Sequence, residues 1–102
     1  MNLSDIKQAR EMKAKLDQTQ KELKNITVEA SAGKGNAVKV VADGQQRIKS
    51  IEISPSVIDP EKPKLLEQLV TKAINEALTK SQKAAAKQLQ SLTGGLKIPG
   101  LF

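Results

Sequence analysis

The apolar residues of this 102-residue chain change their period twice, which limits the available folds more than any other feature. Up to about residue 24 they recur every third or fourth position, at Ala9, Met12, Leu16, Leu23 and Ile26, with Thr19 filling the gap. That spacing predicts a helix over 4–24 with one narrow apolar stripe, Ile6 lying just off it. Ser4 is the predicted N-cap, and Asp5 stands in the first turn, where the helix dipole favours an anion. Such a helix is about 30 Å long and polar on its other faces, so it must lie on a surface or project.

Between Ile26 and Ile53 the period falls to two. Ile26, Val28 and Ala30 alternate with polar residues, as do Val38 and Val40, and then Ile51 and Ile53. Gly33-Lys34-Gly35-Asn36 and Asp43-Gly44 read as the two turns. Ile48 is out of phase with Ile51, which requires either a bulge near Lys49-Ser50 or an Ile48 that faces the opposite side. Three short strands in series make an antiparallel meander whose apolar face needs a helix on it. Past Ser54-Pro55 the helical period returns. Asp59-Pro60-Glu61 offers an N-cap, a proline at the first helical position and an acid in the first turn, although Pro63 can move the start to Lys62. Leu66, Leu69, Val70, Ala73, Ile74, Ala77, Leu78, Ala84 and Ala85 form its apolar face, to about residue 92. Gly94-Gly95 closes it. The reading is one α+β domain over residues 1–93, two layers in the order α-β-β-β-α, and a flexible tail over 94–102.

Composition narrows the chemistry. The chain has no His, Cys, Trp or Tyr, and its one aromatic residue is Phe102. The core must therefore be aliphatic and small, so an oligomer would help it. The usual general base, the commonest metal ligand and disulfides are all missing. Serines such as Ser50 and Ser54 have no histidine to activate them. Gly33-Lys34-Gly35-Asn36 lacks the spacing and the hydroxyl residue of a phosphate-binding loop. The expectation is a protein with no catalytic residues, no metal, no cofactor and no small-molecule substrate. No apolar run approaches the roughly 18 residues of a membrane span, and the first residues do not read as a signal peptide.

The formal net charge is +6, and it is unevenly placed. Residues 26–59 carry four basic and four acidic side chains, while both helical segments carry an excess of basic ones. Lys72, Glu76, Lys80, Lys83 and Lys87 fall at steps of four and three, which stacks them along one helix face. Glu76 and Lys80 stand in the favourable order for an ion pair. No acidic residue follows Glu76. Arg10, Lys13, Lys21 and Lys24 form a second basic face on the first helix, with Asp17 among them. Basic faces of this kind attract polyanions. Lysines 72 to 87 would span roughly 22 Å at 1.5 Å per residue. Duplex DNA offers one charge per roughly 1.7 Å. Lysine in place of arginine, with no aromatic residue in the folded part, suits duplex phosphates better than base reading or single-strand stacking.

The ordered set of parts resembles the YbaB/EbfC family of nucleoid-associated proteins over nearly the whole chain. The matching residues are Ile6-Lys7-Gln8-Ala9-Arg10-Glu11-Met12, Ala32-Gly33-Lys34-Gly35, Val38-Lys39-Val40, Asp43-Gly44 and Ile51-Glu52-Ile53-Ser54-Pro55-Ser56. Leu66-Glu67-Gln68-Leu69-Val70, Ala73-Ile74-Asn75-Glu76-Ala77 and the closing Gly94-Gly95-Leu96-Lys97-Ile98-Pro99-Gly100-Leu101-Phe102 complete it. The resemblance implies a cytoplasmic bacterial protein of the nucleoid that influences transcription. It also implies a homodimer whose helices protrude around duplex DNA. It places DNA contacts on the first and last helices, here Lys7, Arg10 and Lys13, and Lys80, Lys83 and Lys87, to which the stripe adds Lys72. The dimer interface is expected on the sheet and the Leu-rich part of the last helix, at Ile51, Ile53, Leu69, Val70 and Ile74. Two rival readings stay open. One is a helical protein-interaction module; the other is a basic helix lying on a membrane surface, which lacks the Trp or Phe that would anchor it.

Overall fold

In a computed structural model, which describes residues 2–93, the chain runs as helix α1 (Leu3–Asn25), strands β1 (Thr27–Ala32), β2 (Val38–Asp43) and β3 (Ile48–Ile53), a short 3-10 turn (Pro55–Val57) and helix α2 (Pro63–Thr93). The sheet is an antiparallel meander in the order β1-β2-β3. The expected α-β-β-β-α order and the two long helices are both present. The expected tail over 94–102 lies outside the described residues.

Helix boundaries differ from expectation for local reasons. The cap of α1 is Asn2, not Ser4: its side-chain oxygen accepts from the Asp5 N–H at 3.0 Å, and its carbonyl accepts from Ile6 N–H. The Asp5 N–H is one of the donors that a helix start leaves without partners, and the Ile6 N–H makes the first bond of the helix proper. At the other helix, Asp59 accepts from the Glu61 N–H and its carbonyl from the Lys62 N–H, closing a separate turn. The helix itself begins at Pro63. Proline has no N–H to return to residue 59 and disfavours helical geometry at Lys62, so it opens a helix rather than continuing one.

Register resolves the Ile48 question in favour of the bulge. Ala42 pairs with Ile48 and Val41 with Ser50, which leaves Lys49 as the extra residue. Ile48, Ile51 and Ile53 thus stand opposite Ala42, Val40 and Val38 and share their face of the sheet. That face meets α2. The fully buried core is Ala30, Ala32, Val38, Val40, Ala42, Ala73 and Ala77, with Val28, Val57, Leu66, Leu69, Val70 and Ile74 packed around it. Alanines on both layers bring α2 close to β1 and β2. Small residues at the centre also leave the large aliphatics at the margin. Ile48, Ile51 and Ile53 remain 37–43% exposed, because α2 lies over the other two strands.

The Asp43-Gly44 hairpin forms, but the glycine serves a different purpose from a left-handed turn. Gln46 takes the positive φ of 63°. Gly44 is instead buried against α1: a Cβ there would stand 2.7 Å from the Leu23 carbonyl oxygen, which accepts the Gly44 N–H. The molecule is elongated, 68 × 21 × 19 Å. Sheet and early α2 form a wedge, while α1 and the last turns of α2 form an arm.

Candidate nucleic-acid interface

Helix α2 presents three faces to three surroundings. Ala73 and Ala77 face the sheet. Lys80, three residues after Ala77, turns about 60° to one side, and Ile74, three before it, turns the same angle to the other. The Lys80 ammonium donates to the Glu29 carbonyl of β1 at 2.7 Å, which fixes the first flank as the β1 side. The expected Glu76–Lys80 pair is replaced by this contact. Among the described residues the ion pair is Lys39–Glu29, at 3.5 Å on the polar face of the sheet.

Lys72, Lys83 and Lys87 extend outward from the flank that Lys80 marks. Lys72, Asn75, Glu76, Thr79, Lys80 and Lys83 border a shallow depression there. Lys83 and Lys87 are exposed and make no hydrogen bond or ion pair among the described residues. Of the four lysines expected on this stripe, therefore, Lys80 is engaged with the sheet edge, and Lys72, Lys83 and Lys87 are exposed with no side-chain partner among the described residues.

On α1, Thr19 and Leu23 are the buried residues, and they set the side on which the helix is held. Arg10 lies nine residues from Thr19, two and a half turns, so it projects about 180° away. Lys7, Arg10 and Lys13 are all exposed. The first and last helices therefore each carry basic residues outward.

The residues expected at a subunit interface divide into two groups. Ile51 and Ile53 are exposed and Val70 and Ile74 half-buried, the latter pair at the margin of the core beside the uncovered β3. Leu69 lies elsewhere. A Cβ on Gly33 would come within 3.2 Å of its Cδ1, so Leu69 closes the core beneath the β1–β2 turn. Gly33 adopts φ 87°, and that turn stays compact only with glycine there.

The joint between wedge and arm was not foreseen from sequence. Ser81, fully buried, donates its hydroxyl to the Asp43 carbonyl at 2.6 Å and accepts the Gln46 N–H at 3.0 Å. Gln45 reaches the Gln20 carbonyl and side chain, and Gln88 bonds Glu22. The β2–β3 hairpin thus ties both helices. Ser81 had a legible signal: it continues the Ala73, Ala77 line at a step of four. The Gln45 and Gln88 contacts join residues 25 and 66 positions apart and leave no local trace. Among the described residues no group of three or more His, Cys, Asp or Glu is placed to hold a metal, and no helix is long and apolar enough to cross a membrane.

Comparison with known proteins places this geometry among relatives. Residues 1–96 match the model of the YbaB/EbfC DNA-binding family. A nucleoid-associated protein of Pelotomaculum thermopropionicum is 48% identical over 97 residues, which cover 95% of this chain and 91% of the relative. One from Acetivibrio thermocellus is 48% identical over 98 residues, covering 95% and 86%. The crystal structure of the uncharacterised protein HP0035 from Helicobacter pylori superposes with a TM-score of 0.68 at 20% identity, over 94% of this chain and 97% of that one. It supports the fold.

Proposed function

The chain belongs to the YbaB/EbfC DNA-binding family, and from that premise we propose that it is a nucleoid-associated protein that binds duplex DNA as a homodimer. Binding is by neutralisation of backbone phosphates, with little base preference, and bears on nucleoid organisation and transcription. The observation that carries this reading is the outward basic flank of α2, where Lys83 and Lys87 stand exposed and unpaired. Lysines released from protein partners can replace the counterions condensed on DNA. The exposed Lys7, Arg10 and Lys13 of α1 supply a second set.

A second copy is the best occupant for the uncovered β3. Its edge offers unpaired backbone groups, and its inner face offers Ile48, Ile51 and Ile53 beside Ile74. The same patch on a two-fold mate is self-complementary by symmetry. The patch is aliphatic, so two chains of charge +6 would meet where their charge is not concentrated.

The test is fluorescence anisotropy of a labelled duplex across a salt series, with the wild type beside Lys83→Glu/Lys87→Glu. Contacts to about 4–8 phosphates predict a log–log salt slope of roughly −4 to −7. A flat salt response would overturn phosphate-driven binding. A second reading, a helical protein-interaction module, rests on the exposed Leu3, Ile6, Met12 and Leu16 of α1. It requires that neither protein binds DNA at low salt.

A further inference from the structure

We infer that Glu76 limits how tightly the lysine flank of α2 holds duplex DNA, as an uncompensated carboxylate set within the row of cations. The inference rests on the DNA-binding reading proposed above and concerns the tuning of that same surface.

Helix geometry centres the carboxylate in the row. With Lys72 as origin, Lys83, Glu76, Lys87 and Lys80 follow at about 20°, 40°, 60° and 80° around the helix axis. Glu76 thus bisects the face that the lysines share, with Lys72 and Lys83 to one side and Lys87 and Lys80 to the other. Along the axis it stands about 6 Å from both Lys72 and Lys80. It is exposed, and it borders the same shallow depression as Lys72, Lys80 and Lys83. A phosphate drawn to these lysines must therefore approach a carboxylate as well.

Sequence offers Glu76 a partner on either side, and the structure provides neither. Lys80, four residues later and in the favourable order, gives its ammonium to the Glu29 carbonyl instead. Lys72, four residues earlier, stands in the less favourable order, and no ion pair joins the two. Among the described residues the Glu76 side chain makes no hydrogen bond or ion pair at all. A paired carboxylate would be partly neutralised before DNA arrived. An unpaired one keeps its full charge and opposes each phosphate that replaces counterions at the neighbouring lysines. The flank therefore attracts duplex DNA but holds it less firmly than its lysine count suggests.

The experiment measures the Kd of the full chain for a labelled duplex by fluorescence anisotropy, at about 0.1 M salt, where the screening length is ~10 Å. Three variants are compared with the wild type, each checked for helix content by circular dichroism. Glu76→Gln removes the charge and keeps the size. Glu76→Asp keeps the charge. Glu61→Gln removes an equal charge from the turn ahead of α2, outside the row. Glu76→Gln should tighten binding roughly three- to tenfold, since an exposed charge contact is worth up to about fivefold and a dimer carries two flanks. Glu76→Asp and Glu61→Gln should stay within about twofold of the wild type. The gain from Glu76→Gln should shrink as added salt shortens the screening length. Glu76→Gln binding no tighter than Glu61→Gln would overturn the inference and leave the DNA-binding reading intact. Equal tightening by Glu76→Asp would also overturn it. Failure of the wild type to bind duplex DNA even at low salt would overturn the underlying reading, and this inference with it.

Discussion

The wedge and the arm both contain helix but are held by different forces. In the wedge, α2 meets β1 and β2 through Ala73, Ala77, Val38 and Val40, all fully buried. In the arm, the residues of α1 before Thr19 are exposed, including Leu3 at 86% and Leu16 at 47%. What holds the arm is the burial of Thr19 and Leu23 together with a handful of polar bonds among the β2–β3 hairpin and the two helices. The wedge draws its stability from burial, which is indifferent to direction. The arm draws its orientation from hydrogen bonds, which are directional and individually modest.

The largest effect is expected in amide hydrogen exchange of the free protein. Amides of β2 should exchange only through global unfolding, while those of α1 before Thr19 should open locally, so their rates should differ by at least ~100-fold. Equal protection would mean the arm is as firmly held as the wedge. Next, Gly44→Ala forces a methyl group against the Leu23 backbone, where only main chain can give way. A loss of about 3 kcal/mol in denaturant unfolding is expected, at the upper end of overpacking effects.

Ser81→Ala strands the Gln46 N–H and the Asp43 carbonyl in a buried place and should cost about 1–2 kcal/mol. Its control is Thr79→Ala, whose hydroxyl bonds only the Asn75 carbonyl of its own helix at the surface, and which should change stability by less than ~0.5 kcal/mol. If both substitutions cost the same, Ser81 is not the joint. The smallest change is Gln46→Gly. It relieves a left-handed residue whose backbone N–H bond to Ser81 survives, and should raise stability by up to about 1 kcal/mol, measured as a rise in Tm.

Much of the wedge was legible in sequence because periodicity and pairing are local signals. The phase break at Ile48 left either a bulge near Lys49-Ser50 or an Ile48 on the opposite face, and the register decides for a bulge at Lys49. Helix ends were less legible, since several residues compete for the same orphan N–H groups. Asn2 prevails over Ser4, and Pro63 over Asp59-Pro60, by geometry that a residue list does not encode. The basic stripe could be placed on one helix face from spacing alone. Its division could not, because the Lys80 bond to Glu29 crosses 51 positions. Leu69 and Val70 are adjacent aliphatic residues of one helix, yet the task of Leu69 is set by a glycine turn 36 positions earlier.

The bond from Lys80 to β1 makes the two edges of the sheet unequal as sites of growth. A three-stranded sheet has two edges, so in principle it is a difunctional monomer: each edge can accept another strand, and growth continues without limit. In this molecule α2 lies along β1, and the Lys80 ammonium takes up the Glu29 carbonyl at that edge. One backbone acceptor at that edge is thereby occupied within the chain itself, while β3 forms the other edge of the sheet. Strand-to-strand association of this protein is thereby favoured at β3, and substitution of Lys80 removes one of the features that set the two edges apart.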